Sequence, residues 1–309
     1  MDKPTGLSRA AFLKTTAGAA LTFAAVPWMT PAFAAAGPLN ERPVHKNPSL
    51  KLPVIGLGTR SMSKGDAKAV AGQAEVITTL LDGGGKLIDT AANYTGGDSE
   101  EVIGQALAAK NRRKDAFLVT KFGERGKDAG VRSMKNSFKS LQTDVIDVMF
   151  VHNMIDIPTQ LPNIKEFKAK GKIRFAGISD TGRNQDELIK YLGDLDFVEF
   201  AYAADSREAE ARLLPACLDK GVSVLVALPL GRGRALDAVK GQQVPEWAKQ
   251  ELGVETFAQL LLKFVVGHPA VTVAIPSTLN PKHMAENLAA ARGSLPDEKQ
   301  RAKIAQIWA

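Results

Sequence analysis

Three apolar runs in this 309-residue chain end in residues that together could move a proton. The run LIDTAANY carries Asp89 and, five residues on, Tyr94; LVTK ends in Lys121; MFVH ends in His152. A carbonyl attacked by hydride gathers negative charge on its oxygen, and it needs a proton donor and electrostatic support there. A tyrosine hydroxyl is a poor donor at neutral pH, because its unperturbed pKa is about 10. A neighbouring ammonium favours the phenolate, so Lys121 should make Tyr94 a better acid. A buried lysine needs a counter-charge, which Asp89 can supply. A histidine beside them can bond the substrate oxygen and orient it. Asp89, Tyr94, Lys121 and His152 are the candidate catalytic residues.

These side chains must be brought together by the elements that carry them. From residue 52 onward, short apolar runs alternate with amphipathic stretches. The pattern predicts strands at 54–58, 86–89, 117–121, 145–151, 174–179, 197–200, 223–227 and 271–275. Helices are expected near 66–82, 99–110, 130–141, 160–170, 184–192, 206–220, 254–267 and 281–291. Alternation of this kind implies a parallel sheet, since each parallel strand needs a crossover. Eight such units favour closure into a TIM (β/α)8 barrel of class α/β. In such a barrel the C-terminal ends of the strands form the active face, and Asp89, Lys121 and His152 all lie there. Asp98 or Ser99 is expected to cap the second helix, and Gly171 to end the fourth. Residues 231–254 form a long basic connection that could cover a ligand, and residues 296–309 resemble a last helix.

Composition narrows the function classes. The chain is 45% hydrophobic and 24% charged, as expected of a globular protein. The net charge of +7 comes from scattered residues. The one dense basic run, KNRRK at 110–114, fits a solvated helix end, so no nucleic-acid partner is expected. The single cysteine, Cys217, rules out an internal disulfide and fits a buried small residue. No Cys/His cluster has metal-ligand spacing, so no metal is expected.

Residues 1–36 are expected to be a signal peptide and short linker, with the barrel domain spanning 37–309. Lys3, Arg9 and Lys14 precede a short Ala- and Gly-rich apolar stretch, and Ala32-Phe33-Ala34 forms an A-x-A cleavage pattern. The stretch is too short for a stable membrane span. LSRAAFLK resembles the twin-arginine motif S-R-R-x-F-L-K, with Ala10 in place of the second arginine. Residues 1–34 are thus expected to engage export machinery, by the Sec or a twin-arginine-like route. The protein is then periplasmic or otherwise exported.

The four catalytic candidates, in this order and at these strand ends, resemble the catalytic tetrad of the aldo-keto reductase family. The stretches IDTAANY with GGDSEEVIG, VTKFG, VHN, GISD, PLGRG and IPSTLNPKHMAEN carry the likeness, from about residue 51 to 291. The resemblance implies reversible hydride transfer between a nicotinamide cofactor, usually NADP(H), and a small-molecule aldehyde or ketone. It implies cofactor contacts at Ser179, Asp180, Glu199, Leu230, Gly231, Ile275, Ser277, Thr278, His283, Glu286 and Asn287. Several of these depart from the family pattern. Asp180 stands for the usual Asn, Glu199 for the usual Gln, and Ala227 for a ring-stacking aromatic. His283 stands where NADP-dependent members often carry arginine, so NAD is a second expectation. The family's substrate loops after strands one, four and seven carry no distinctive residue types. Trp247 is a candidate pocket wall. Two competing expectations use the same barrel. One is a non-redox binding protein for a small molecule, consistent with the altered cofactor positions. The other is a hydrolase, with Asp180 and Glu199 as its paired carboxylates.

Overall fold

The computed structural model describes residues 37–182 and 184–308. Its first element is an antiparallel hairpin, β1 (Glu41–Val44) with β2 (Asn47–Pro53). Eight parallel strands follow: β3 (Leu57–Gly58), β4 (Leu87–Asp89), β5 (Phe117–Phe122), β6 (Ile146–His152), β7 (Ile173–Asp180), β8 (Phe197–Ala201), β9 (Ser223–Ala227) and β10 (Val271–Ala274). They pair in chain order. The sheet closes on itself through parallel bridges Ile55 to Ala274 and Gly58 to Ser277. Gly56 N donates to Ala274 O at 2.9 Å, and Gly58 N to Pro276 O at 3.0 Å. Gly58 is required at this seam, because a Cβ there would lie 2.9 Å from Ile275 O.

A helix follows each strand. These are α1 (Ala67–Asp82), α2 (Asp98–Ala109), α3 (Lys127–Ser140), α4 (Ile157–Ala169), α5 (Gln185–Tyr191) and α6 (Leu213–Asp219). Two short helices, α7 (Arg234–Asp237) and α8 (Glu246–Leu252), fill the connection after β9, before α9 (Phe257–Val266), α10 (Pro281–Ala289) and α11 (Glu298–Ala305). The expected (β/α)8 barrel is therefore present, with boundaries shifted by a few residues. Among the described residues no helix is long and apolar enough to cross a membrane. The expected leader at 1–36 lies outside the described residues.

Strand periodicity explains the core. Alternate residues of a strand point to opposite faces. Leu87, Phe117, Val119, Val148, Phe150, Phe175, Phe197, Leu225 and Val273 form one apolar cluster, which fills the barrel. Their neighbours, such as Ile88, Leu118, Met149 and Val198, pack outward against the helices. The rings of Phe117, Phe175 and Phe197 stack low in the barrel, with centroids 5.4 to 6.3 Å apart. Val44 and Leu52 of the hairpin join the same cluster. The hairpin thus floors the barrel, which the sequence pattern left unassigned. It is fastened by Arg42, which donates to Val266 O and Pro269 O at 2.9 Å each, and by His45 N on Ser223 Oγ at 3.0 Å.

Three expectations need correction. Neither Asp98 nor Ser99 caps α2. Gly97, with φ +101°, begins it, Asp98 instead accepts from Lys64 N at 3.1 Å, and Ser99 Oγ bonds Thr59 O at 3.0 Å. The helix expected over 206–220 is broken into a 3-10 turn, Glu208–Glu210, and α6, Leu213–Asp219, since Pro215 has no N–H to carry the ladder back to Ala211. The KNRRK segment is not merely solvated, because Arg113 bonds Val145 O at 2.6 Å and Ala116 O at 2.8 Å. The long connection 231–254 carries the short helices α7 and α8, and Leu236, Val239 and Lys240 of it line a cavity. Gly171 does follow α4, at φ +70°, and Cys217 is buried. The tail forms α11, anchored by Trp308 Nε1 on Ala235 O at 2.6 Å.

Candidate active site

The inward face of the barrel carries apolar residues until the strands end, and polar ones take over there. Val119 is followed two residues on by Lys121, Leu87 by Asp89, Phe150 by His152 and Phe197 by Glu199. The period of two therefore sends all four side chains into one rim cavity of about 700 Å³ or its base. Tyr94 enters from the turn after β4, held by Thr95 Oγ1 on Met62 O. Its ring meets the His152 ring edge-on, with centroids 6.0 Å apart.

Lys121 is buried and fully engaged. Its ammonium donates to Asp89 Oδ2 and to Thr90 O at 3.0 Å, and lies 3.0 Å from Glu199 Oε2. It stands 5.6 Å from the Tyr94 ring centroid and acts on that ring through its field. Burial alone would lower the lysine pKa, but Asp89 and Glu199 outweigh it and hold the ammonium charged. Burial and the Glu199 charge push Asp89 well above the usual carboxylate range, against the pull of Lys121.

The sequence pattern suggests that Lys121 makes Tyr94 more acidic, and the structure qualifies this. Burial raises the phenol to about 12, aided by Asp89 and Glu199, while Lys121 and Arg60 only moderate the rise. Tyr94 is thus a held proton at neutral pH. Burial, with Lys121 and Arg60, lowers His152 to about 4, so its imidazole is neutral and has one N–H to give.

A second cavity, of about 640 Å³, shares Leu228, Arg232, Ile275 and Ser277 with the first. The two form a groove running from Tyr94 to the start of α10. Leu230, Thr278, His283, Glu286 and Asn287 line its far part, with Ile275 and Ser277 at the junction. Ser179 and Glu199 line the near part. Two expected contacts fall elsewhere. Asp180, one residue beyond Ser179, faces the other way, and its Oδ1 accepts from Gly182 N at 3.1 Å. Gly231 lies behind the wall against Asp205, whose carboxylate a Cβ would meet at 2.8 Å. Asp180 and Glu199 therefore do not make the paired carboxylates of a hydrolase. Trp247 is not in the lining of either cavity; its ring lies under Lys303 Nζ at 4.0 Å.

Ser179 Oγ is buried without a hydrogen-bond partner in the protein, and the group facing Glu199 Oε2 is the Lys121 ammonium, at 3.0 Å. Leaving a buried hydroxyl unpaired costs roughly 1–3 kcal/mol. A nicotinamide carboxamide presents one acceptor and two donors, which suit a serine hydroxyl and a carboxylate. At the other end α10 opens with Pro281, which has no N–H, and Lys282 N and Met284 N are both bonded to Asn280, so the first turn leaves the His283 N–H for an anionic group. The groove fits a nicotinamide dinucleotide in size and chemistry. No aromatic stacks at position 227; Ala227 lines the cavity, and Leu228, at φ +55°, turns into both halves of the groove. Among the described residues no His, Cys, Asp or Glu cluster could hold a metal ion.

Sequence reasoning missed Arg60, Asn93, Asn153 and Arg232, all of which line the catalytic cavity. Arg60 obeys the rule that found Lys121, a charge at a strand end, but Gly58 and Thr59 separate it from the apolar run, so it did not read as the end of one. Arg232 lay within the PLGRG stretch, at the joint of the groove.

Residues 54–309 match the aldo/keto reductase family. An aryl-alcohol dehydrogenase of Pestalotiopsis microspora is 32% identical over 183 residues, 52% of this chain, and the chain spans about half of that relative's length, 48%. An NADP(+) aldo-keto reductase of Schizosaccharomyces pombe is 27% identical over 82% of this chain and 88% of its own. The crystal structure of an aldo-keto reductase from Klebsiella pneumoniae in complex with NADPH superposes with a TM-score of 0.76, at 29% identity, over 88% of this chain and 96% of that one.

Proposed function

The chain belongs to the aldo/keto reductase family, and from that premise we propose that it is an oxidoreductase reducing an aldehyde or ketone to an alcohol with NADPH. The observation that carries this is the buried Asp89–Lys121–Glu199 cluster beneath Tyr94, at the closed end of a dinucleotide-sized groove. NADPH, held by Ser179, Glu199, Leu230, Ile275, Ser277, Thr278, His283, Glu286 and Asn287, would supply hydride to the carbonyl carbon. The neutral His152 donates its N–H to the carbonyl oxygen and fixes it beside Tyr94. As that oxygen gains negative charge, Tyr94 hands it the phenolic proton. The transfer runs downhill, because an alkoxide is about as basic as hydroxide, and water has a pKa of about 15.7. Lys121 stabilises the phenolate left behind, and Asp89 and Glu199 keep Lys121 charged and in place.

NADPH is favoured by the solved relative's complex and by the name of the yeast relative. Lys240 and His283, which line the far end of the groove, are the groups available to a 2′-phosphate there. The test is a fluorescence titration with NADPH and NADH, followed by consumption of the reduced cofactor with a panel of aldehydes. Failure to bind either nucleotide would leave the chain a non-redox binding barrel.

For residues 1–34 we propose export, with cleavage after Ala34. Support comes from Lys3, Arg9 and Lys14, the short apolar stretch and the A-x-A pattern. Fractionation of cells making the full chain, with N-terminal sequencing of the product, decides it. A cytoplasmic product that still starts at residue 1 overturns it.

A further inference from the structure

Arg60 is the second residue beyond β3. The residue before it is locked: Thr59 is buried, its N and Oγ1 both bond Asp89 O, at 3.0 and 2.8 Å, and its own carbonyl accepts from Met62 N at 2.9 Å. This tight turn presents Arg60 at the rim, exposed, in the cavity that holds Tyr94 and His152. The guanidinium is near enough for its charge to be felt by both side chains.

Its surroundings leave it unpaired. Among the described residues Arg60 has neither a hydrogen bond nor an ion pair. The cavity's two carboxylates, Asp89 and Glu199, lie at the base and are tied to Lys121. The other rim residues beside Tyr94 and His152, Asn93 and Asn153, are neutral. Arg232 stands apart, where the cavity joins the rest of the groove. A guanidinium offers a planar fork of N–H donors that matches a carboxylate or a phosphate.

We propose that Arg60 selects carbonyl substrates that carry an anionic group, a carboxylate or a phosphate ester, away from the reacting carbonyl. This rests on the reductase function proposed above. The carbonyl oxygen sits between Tyr94 and His152, and the anion reaches outward to the guanidinium at the mouth. The same charge attracts such substrates into the cleft, so selectivity weakens as salt is added.

The test compares matched pairs, 4-carboxybenzaldehyde with benzaldehyde and glyceraldehyde 3-phosphate with glyceraldehyde, in wild type, Arg60→Gln and Arg60→Lys. The ratio of kcat/KM, charged over neutral, should fall by about 10- to 100-fold in Arg60→Gln, the size expected of a hydrogen bond to a charged group. Arg60→Lys should keep part of it. Which pair responds identifies carboxylate or phosphate as the anion. An unchanged ratio overturns the proposal, as does a weakened NADPH Kd with equal losses on both members, since Arg60 would then serve the cofactor. If wild type reduces none of these aldehydes, calorimetric titration with 4-carboxybenzaldehyde separates the two questions. Binding that Arg60→Gln abolishes upholds the anion site although the reductase function fails, and binding indifferent to Arg60 overturns it.

Discussion

Glu199 Oε2 lies 3.0 Å from the Lys121 ammonium, beside Asp89, so one buried cation serves two carboxylates. The pair was not visible from the chain, where Glu199 read as a substituted cofactor contact or, with Asp180, as a hydrolase carboxylate. Its effect falls on Tyr94, because a second negative charge makes a phenolate harder to form.

Glu199→Gln should therefore lower the Tyr94 pKa from its value of about 12 while keeping an acceptor for the cofactor. Each unit of decrease raises the phenolate fraction about tenfold at a fixed pH. Alcohol oxidation, which begins from the phenolate, should speed up at pH 8. Ultraviolet difference titration of the phenol, compared with Tyr94→Phe to identify the signal, checks the shift. A Tyr94 titration that does not move removes Glu199 from the cluster's electrostatics.

Tyr94→Phe should cost about 10²- to 10⁴-fold in kcat, the range for losing a general acid. The ring stays, so NADPH affinity should hold within about twofold, well under the tenfold that 1.4 kcal/mol represents. Stopped-flow turnover and fluorescence titration separate the two effects. Full activity in the variant would exclude Tyr94 as the proton donor.

The pH dependence follows from two shifts of opposite sign. His152, depressed to about 4, stays neutral throughout the range where an ordinary histidine titrates, and Tyr94, raised to about 12, stays protonated. Reduction should show kcat/KM flat from pH 6 to 9, with no inflection at about 6.5, the ordinary histidine value. Oxidation of the alcohol should climb steadily with pH over the same range. An inflection in reduction near neutrality that is lost in His152→Gln would show the imidazole to be charged when active.

Gly177 tests the packing beneath the site. A Cβ there would sit 2.3 Å from the Phe150 ring, and that ring lies 5.8 Å under Lys121 Nζ. Gly177→Ala should destabilise by about 1–3 kcal/mol, the usual cost of overpacking. Urea denaturation measures it, and Phe150→Leu in the same chain should recover part. A fully stable Gly177→Ala would show that both Phe150 and the Phe197 carbonyl, 2.6 Å from the same Cβ, give way at little cost.

What the sequence made legible was periodicity. Asp89, Lys121 and His152 follow apolar runs directly, and their gathering at one rim matches the pattern that found them. Facing was lost where adjacent residues compete. Ser179 and Asp180 look alike in sequence, yet the two-residue period turns only Ser179 inward. Arg60 was hidden because Gly58 and Thr59 separate it from the apolar run of the first strand, whereas Asp89, Lys121 and His152 stand at the ends of theirs. The hairpin was invisible because its partners are side chains and carbonyls at positions 223, 266 and 269, far along the chain.

That hairpin has a consequence for the order of assembly during translation. Residues 41–53 leave the ribosome early, but the surface they cover is completed only by β9, α9 and the turn before β10. Closing such distant contacts is slow, because the chain must lose loop entropy first. The floor of the barrel therefore stays open, with Phe117, Phe175 and Phe197 wetted from below, until the final quarter of the chain has been made. Until then a nascent chain exposes an aromatic surface that a chaperone could recognise.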